Sequence, residues 1–259
     1  MLALLSPAKK LDFEPAPADL PRTRPVLAKE TELLMESVRP LQPDDLQSLM
    51  GLSESLATLN FERFQAFSLS RRATKGRKQA ALAFAGDVYM GLRAPTLSRG
   101  ALDFAQEHLR ILSGLYGLLR PADLIQPYRL EMGTRLSNPR GNDLYAFWGD
   151  RIRDTLARQL RSHAQPVVVN LASQEYARAA RLPSLGARIV TPLFKERRGK
   201  ALKVISFSAK RARGMMARFM VDQRADHPEK LLRFAEDGYA FDEGLSDDDQ
   251  WVFVRPGPR

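Results

Sequence analysis

PVVVNLAS, residues 166–173, sets three valines behind a proline and ends in Asn, Leu, Ala and Ser. β-Branched side chains fit a pleated, buried surface, and an apolar run this short has the length of a strand. It reads as a buried strand closing in a polar turn. LALL, residues 2–5, has the same form, and SPAKKLDF after it is a turn that presents Lys9 and Lys10. Strands of this kind set among helical stretches predict a sheet with helices packed on it.

Working outward, helical spacing recurs over residues 26–38, where Leu27, Leu33, Leu34 and Val38 form a stripe. It recurs over 98–112, opened by a Ser cap, over 143–161, and over the basic stretch 208–223, where Phe207, Met216, Phe219 and Met220 form an apolar face. PAPADLPRTRP at 15–25 is a proline-rich connector. Further strands are expected at 80–85, 187–194 and 202–206, with KERRGK between the last two. YAF and WVFV, near the end, would close a sheet edge. No GxGxxG or GxxxxGK[ST] occurs, there is no internal repeat, and the rhythm is not a clean βαβ alternation. The expected fold is α+β: one mixed α/β domain over 1–259 with a central sheet and surrounding helices.

The 259 residues are 44% hydrophobic and 27% charged, the balance of a soluble globular chain. No apolar run approaches the ~20 residues of a membrane helix, and four apolar residues after Met1 fall short of a signal peptide's core of ~7 or more. A cytoplasmic protein with no membrane partner is expected. There is no cysteine, which excludes disulfides, thiolate catalysis and Cys-ligated iron–sulfur clusters. His108, His163 and His227 lie far apart in sequence, so no metal site and no cofactor is expected.

Charge is the loudest signal. Lys and Arg number 40 against 30 Asp and Glu, with a pI near 10.1. Seven of those acids fall in 234–250, which holds no base, so the rest carries 40 bases against 23 acids, a net of +17. Such an excess attracts polyanions, because each phosphate neutralised releases condensed counterions.

LMGLSESLA, residues 49–57, sits between two helical runs. Leu49, Gly51, Leu52 and Ala57 stand where a helix–hairpin–helix loop has its leucine, glycine, apolar residue and alanine. Such a loop aims backbone amides at a phosphate. Met50 stands for the usual proline and Ser53 for the second glycine, and Glu54 competes with a phosphate for the first-turn amides. A plain packing turn fits the same residues. LSGLYGLLRPADL at 112–124 reads as a buried turn whose tyrosine packs in the core, with Arg110, Arg120 and Arg129 near enough in sequence to line a cleft.

Several long strings together are distinctive: LLSPAKKLDF, FAGDVYMGL (84–92), HLRILSGLYGLLRPADLIQPYRLEMG (108–133), LYAFWGD (144–150), VVNLASQEY (168–176) and ISFSAKRARGMMARF (205–219). They resemble the YaaA family, from residue 1 to about WVFVR. The resemblance implies bacterial resistance to peroxide stress, a mixed α/β domain with a basic cleft and a helix–hairpin–helix element, binding of double-stranded or irregular DNA, and a link to recombination repair and to limiting free iron. With no cysteine and no paired histidines, protection would be indirect.

The DNA-binding candidates are Lys9 and Lys10 at the strand end; Gly51, Leu52, Ser53 and Ser55 in the hairpin; Arg110, Arg120 and Arg129; and Lys210, Arg211 and Arg213 on the basic helix. Lys210 and Arg213 are three apart and share a helix face, whereas Arg218 reads as solvated surface. SRRATKGRK at 70–78 is a cationic loop for non-specific attraction. Tyr89, Tyr116 and Tyr128 are core residues unless a base stacks on them. No catalytic residue is assigned. The alternative is an enzyme acting on nucleic acid or a nucleotide through Asp87, Glu131 and Glu175, with Asn170, Ser173 and Arg129 nearby. It requires Asp87, Arg129, Glu131 and Glu175 to converge in one pocket.

Overall fold

The computed structural model describes residues 1–16, 20–70 and 76–257, so the middle of the proline-rich connector and residues 71–75 of the cationic loop lie outside the described residues. Strands run in chain order as β1 (Leu2–Leu5), β2 (Lys78–Gln79), β3 (Leu109–Ser113), β4 (Gly117–Leu119), β5 (Leu124–Ile125), β6 (Val167–Leu171), β7 (Arg188–Arg198), β8 (Ala201–Lys203), β9 (Ala240–Phe241) and β10 (Gln250–Pro256). The helices are α1 (Ala28–Val38), α2 (Pro43–Met50), α3 (Glu54–Ala66), α4 (Ala80–Ala83), α5 (Asp87–Leu92), α6 (Arg99–His108), α7 (Leu144–Trp148), α8 (Arg151–Leu160), α9 (Gln174–Ala179) and α10 (Ser206–Asp222).

One mixed sheet forms the centre, in the order β4-β3-β1-β6-β7-β10-β9, with β8 hairpinned onto β7. β3, β1, β6, β7 and β10 are parallel neighbours, and β4, β8 and β9 are antiparallel. β1 and β3 are buried along their whole length, as central parallel strands must be. The expected mixed α/β architecture is therefore present, and YAF and WVFV supply β9 and β10 at the edge.

Several boundaries differ from the sequence reading, each for a tertiary reason. The helix expected over 98–112 stops at His108, because Leu109 to Ile111 pair in parallel with Ala3 to Leu5. The helix expected over 143–161 breaks at Gly149, whose φ of 49° is left-handed. Residues 80–83 form the helical turn α4 instead of a strand; only Phe84 bridges, to Leu11. The segment 202–206 is strand only to Lys203, and α10 starts at Ser206. Phe207 is exposed and lies off the apolar face of α10, which Met216 and Met220 do bury.

β7 runs four residues past its expected end at Phe194. Its period-2 alternation continues through Val190, Pro192, Phe194 and Glu196, all inward. A charge can occupy that fourth position because Arg255, its direct partner on β10, donates to it at 2.6 Å, and Arg198 does so at 3.0 Å. Burial works against the Glu196 carboxylate, but hydrogen bonds from Ser208, Arg255 and Arg198 outweigh it and hold its pKa down at about 2. Glu196→Gln removes the charge that two guanidiniums share, leaving Arg255 with Asp237 and Ser208, and a urea titration at neutral pH is expected to show a loss of about 2 kcal/mol. Because the folded pKa is depressed, the advantage holds above the unfolded value near 4.5 and disappears as pH falls toward about 2, where variant and parent converge.

The hairpin LMGLSESLA joins α2 to α3. Gly51 takes φ 61°, ψ 44°, and the Gly51 and Leu52 amides both donate to the Gln47 carbonyl, a Schellman closure with Leu52 and Leu46 buried beside it. Ser53 Oγ accepts from the Leu56 amide as the cap of α3. The described geometry is that of a tightly closed helix pair. Tyr116, as expected, sits at 0% exposure beneath the Gly114–Gly117 turn, where Gly117 has a φ of 68° and the Trp148 ring fills the space a Cβ would need.

Candidate functional site

The chain goes from β1 to β3 on one side and returns to β6 on the other, so the strand order reverses at β1. In open α/β sheets, ligand crevices form outside the carboxyl ends of strands at such a reversal. A cleft of about 430 Å³ opens there, lined among others by Ser6, Lys9, Lys10, Asp87, Glu131, Ser173, Glu175, Lys210 and Arg213.

Each wall has a local cause. Pro7 has no amide to extend β1, so the chain leaves the sheet at Ser6. The Ser173 amide then donates to Ser6 Oγ at 2.9 Å and ties the ends of β1 and β6 together. The buried Tyr89 hydroxyl donates to the Ser6 carbonyl at 2.9 Å; burial raises its pKa, so it stays a donor. The turn that carries Lys9 and Lys10 is laced to residues 83–85, with the Asp12 amide on the Ala83 carbonyl and the Ala85 amide on the Lys10 carbonyl. Gly86 then passes so close to Ala8 that an added Cβ would stand 3.1 Å away, and Asp87 opens α5 at the cleft.

The acids are of two kinds. Glu131 is neutralised by Lys9 at 2.9 Å and Arg129 at 3.3 Å. Glu175 Oε1 accepts the Gly133 amide at 2.8 Å. Asp87 has no protein partner among the described residues. The cations also divide. Lys210 and Arg213 have no carboxylate partner among the described residues, and neither does the exposed Arg211 on the same helix; Lys10 makes no ion pair there but lies in the field of Asp12. Arg213 is partly buried, and burial alone lowers its pKa, with no acid beside it to offset the effect. With four cations and three carboxylates, the lining is of mixed charge, net +1, rather than uniformly basic.

A family profile described as "Peroxide stress protein YaaA" matches residues 1–245. The chain belongs to the YaaA family. Curated YaaA relatives match it end to end: a UPF0246 protein of Paraburkholderia phytofirmans is 52% identical over 257 residues, which covers 98% of both chains. UPF0246 proteins of Burkholderia mallei and Burkholderia pseudomallei are 51% identical over the same length and coverage. This YaaA-family chain is thereby placed with a peroxide-stress protein. Among its described residues no helix is long and apolar enough to cross a membrane.

Of the residues singled out from sequence, Lys9, Lys10, Lys210 and Arg213 meet in the cleft, as do Asp87, Glu131, Ser173 and Glu175. The other arginines go elsewhere. Arg110 is 4% exposed; its guanidinium donates to Gln159 Oε1 and to the Gln106 and Leu109 carbonyls, and burial lowers its pKa to about 10. Arg120 pairs with Asp123 at 3.1 Å and reaches the Arg24 carbonyl. Arg129 serves Glu131. Gly51, Leu52, Ser53 and Ser55 lie on the α2–α3 pair and do not line the cleft. Arg218 is no solvated cation: it clasps Asp222, the Arg93 carbonyl and Thr96 Oγ1. Tyr89, Tyr116 and Tyr128 are core residues.

Sequence reasoning missed two things. Ser6 ties the strand ends, a role legible only once β1 and β6 are known to be neighbours. His108 and His163, 55 positions apart, bring their rings to 4.9 Å at the other end of β1, where His108 also meets the Met1 carbonyl. Burial pushes the pKa of both down, His163 to about 4, so both are neutral near pH 7.

Proposed function

We propose that this chain is a DNA-binding protein of the bacterial peroxide-stress response, acting in the cytoplasm and holding DNA by its phosphates with little sequence preference. Links to recombination repair and to limiting free iron belong to the same reading. The observation that carries it is Arg213: a half-buried guanidinium facing a cleft without a counter-ion is costly unless an anion from outside completes the site. Lys210 lies one turn away on the same helix, Arg211 is also unpaired, and Lys10 makes no ion pair among the described residues, only a through-space interaction with Asp12.

The charge distribution supports this. Asp247 to Asp249 sit where β7 and β10 begin, with Arg188 reaching Asp249 and the Asp248 carbonyl, at the opposite strand ends from the cleft. The hairpin contributes less than its sequence suggests, because two of its amides are spent on Gln47 and Glu54 stands in the first turn of α3. Four cations without an ion pair among the described residues, each worth a slope of ~0.9, give an expected slope of about −4 for log affinity against log salt. Filter binding or anisotropy with duplex DNA is expected to show about a 100-fold loss over a four-fold rise in salt. A flat response would overturn the proposal.

A second reading is favoured by one observation. Of the four residues that had to converge, Asp87, Glu131 and Glu175 line a single cleft where α/β active sites form, while Arg129 stays outside the lining and reaches it only through its pair with Glu131. An enzyme acting on nucleic acid or a nucleotide would use the same walls.

A further inference from the structure

The cleft carries two chemically different sets of groups, supplied by different elements. α10 brings Lys210 and Arg213, cations with no protein partner among the described residues. α5 and the start of α9 bring Asp87 and Glu175, acceptors with spare capacity: Asp87 has no protein donor, and Glu175 uses only Oε1, on the Gly133 amide. Glu131 lies among them already neutralised by Lys9 and Arg129, and so repels an incoming anion least.

Such a site asks for a ligand that carries both an anionic group and hydrogen-bond donors. A volume of about 430 Å³ falls in the range of ~300–1,000 Å³ that holds one small molecule, and is far too little for the width of a duplex. Within nucleic acid, the unit that meets both demands is one nucleotide, with its phosphate on the cations and the amino and imino groups of its base edge on the carboxylates. Carboxylates accept from exocyclic amino groups such as cytosine N4 and cannot accept from a carbonyl edge.

We infer that the cleft at the ends of β1 and β6 is a pocket for a single nucleoside monophosphate unit, with Lys210 and Arg213 holding the phosphate and Asp87 and Glu175 reading the base. This rests on the reading that the chain binds nucleic acid, and it narrows it: Lys210 and Arg213 hold a backbone phosphate at the mouth of the cleft, while the cleft behind them takes that phosphate's nucleotide out of the stack. Extrusion costs a few kcal/mol, least where the nucleotide is already unpaired.

The test is calorimetric titration of the full chain with dAMP, dCMP, dGMP and dTMP, with inorganic phosphate as the reference. The amino-bearing nucleotides are expected to bind about ten-fold tighter than phosphate and tighter than dTMP, the size of one or two good base contacts. In Asp87→Asn with Glu175→Gln, the preference among bases is expected to collapse while phosphate still binds. Both substitutions keep an acceptor oxygen for local backbone contacts, and circular dichroism checks the fold. Duplex carrying one extrahelical 2-aminopurine separates the sources of the nucleotide. A fluorescence change abolished by free dAMP supports a nucleotide taken from DNA, and tight dAMP binding without that change supports a free one. If all four nucleotides bind no tighter than phosphate while duplex still binds with its salt dependence, the pocket is overturned and DNA binding stands. If neither nucleotides nor duplex bind, both fall.

Discussion

Gly214→Ala is expected to lower the thermal midpoint by about 10 °C. The reason is a backbone-to-backbone crossing of α5 and α10. A Cβ at Gly214 would stand 1.7 Å from the Val88 carbonyl oxygen and 2.9 Å from the Leu92 amide; one at Gly91 would stand 2.2 Å from the Arg211 carbonyl oxygen. Neither obstacle is a side chain that can turn away, so one helix must lift off the other. Overpacking ordinarily costs ~1–3 kcal/mol, and a clash with main chain belongs at the top of that range. At ~2–4 °C per kcal/mol for a chain of this size, about 3 kcal/mol gives the shift stated. Calorimetry reads it directly, and a midpoint within about 2 °C of the parent would refute the crossing. Gly51→Ala is the contrast. It has open space around it and only a left-handed φ to oppose it, so it should cost about 1 kcal/mol. Because α5 begins with Asp87 and α10 carries Lys210 and Arg213, the same displacement pulls two walls of the cleft apart.

Lys210→Ala with Arg213→Ala is expected to weaken duplex binding about 100-fold at low salt. Two charge-assisted phosphate contacts at ~1.5 kcal/mol each give that factor. The salt slope should fall by about 2, since each lost phosphate contact removes ~0.9. The loss should be the same for unrelated sequences, because phosphates carry no base identity. Stability should not fall, since a desolvated guanidinium without a partner contributes nothing to the fold. Arg218→Ala is the control: its guanidinium is engaged with Asp222, Arg93 and Thr96, so it should leave the slope where it was. An unchanged slope in the double variant, or a loss confined to one sequence, would sink the assignment of α10 as the phosphate-holding element.

The two effects are linked by design of the chain. Gly91 and Gly214 let α10 approach closely enough to place Arg213 at the mouth of the crevice, where its charge is partly desolvated. Close helix packing and an uncompensated cation are both unfavourable in isolation, and they occur on the same helix. That coincidence is expected of a binding site, where local cost is accepted for a ligand contact.

Sequence pattern carried far in the fold and only part way in the site. PVVVNLAS and LALL were legible as strands because a parallel strand buried on both faces is a short, unbroken apolar run. HLRILS was not, because Leu109 and Leu112 satisfy helical spacing as well as strand pairing, and only the neighbouring β1 decides between them. KERR was left outside the strands on either side of it, since nothing local reveals that Arg255, 59 positions on, will neutralise Glu196. Lys9, Lys210 and Arg213 were legible from position on an element. Arg110 has the same composition signal, yet its backbone places it inside, where Gln159 and two carbonyls take its donors.

What the sequence by itself determined is the alternation of buried strands with amphipathic helices, the absence of thiol chemistry, a net charge of +10 concentrated outside residues 234–250, and membership in a family recognisable from its long strings. These are properties of periodicity and sums, and need no knowledge of which segments meet. Only the tertiary structure decided that β1 is the point of reversal, that Ser6 and Ser173 close the strand ends there, and that Asp87, Glu131 and Glu175 share a cleft with Lys210 and Arg213. The physical reason is that partners fix what an ionisable side chain does. A lysine, arginine or carboxylate is a structural clasp when a counter-charge or carbonyl reaches it, and a ligand contact when none does, and those partners lie tens to hundreds of residues away along the chain.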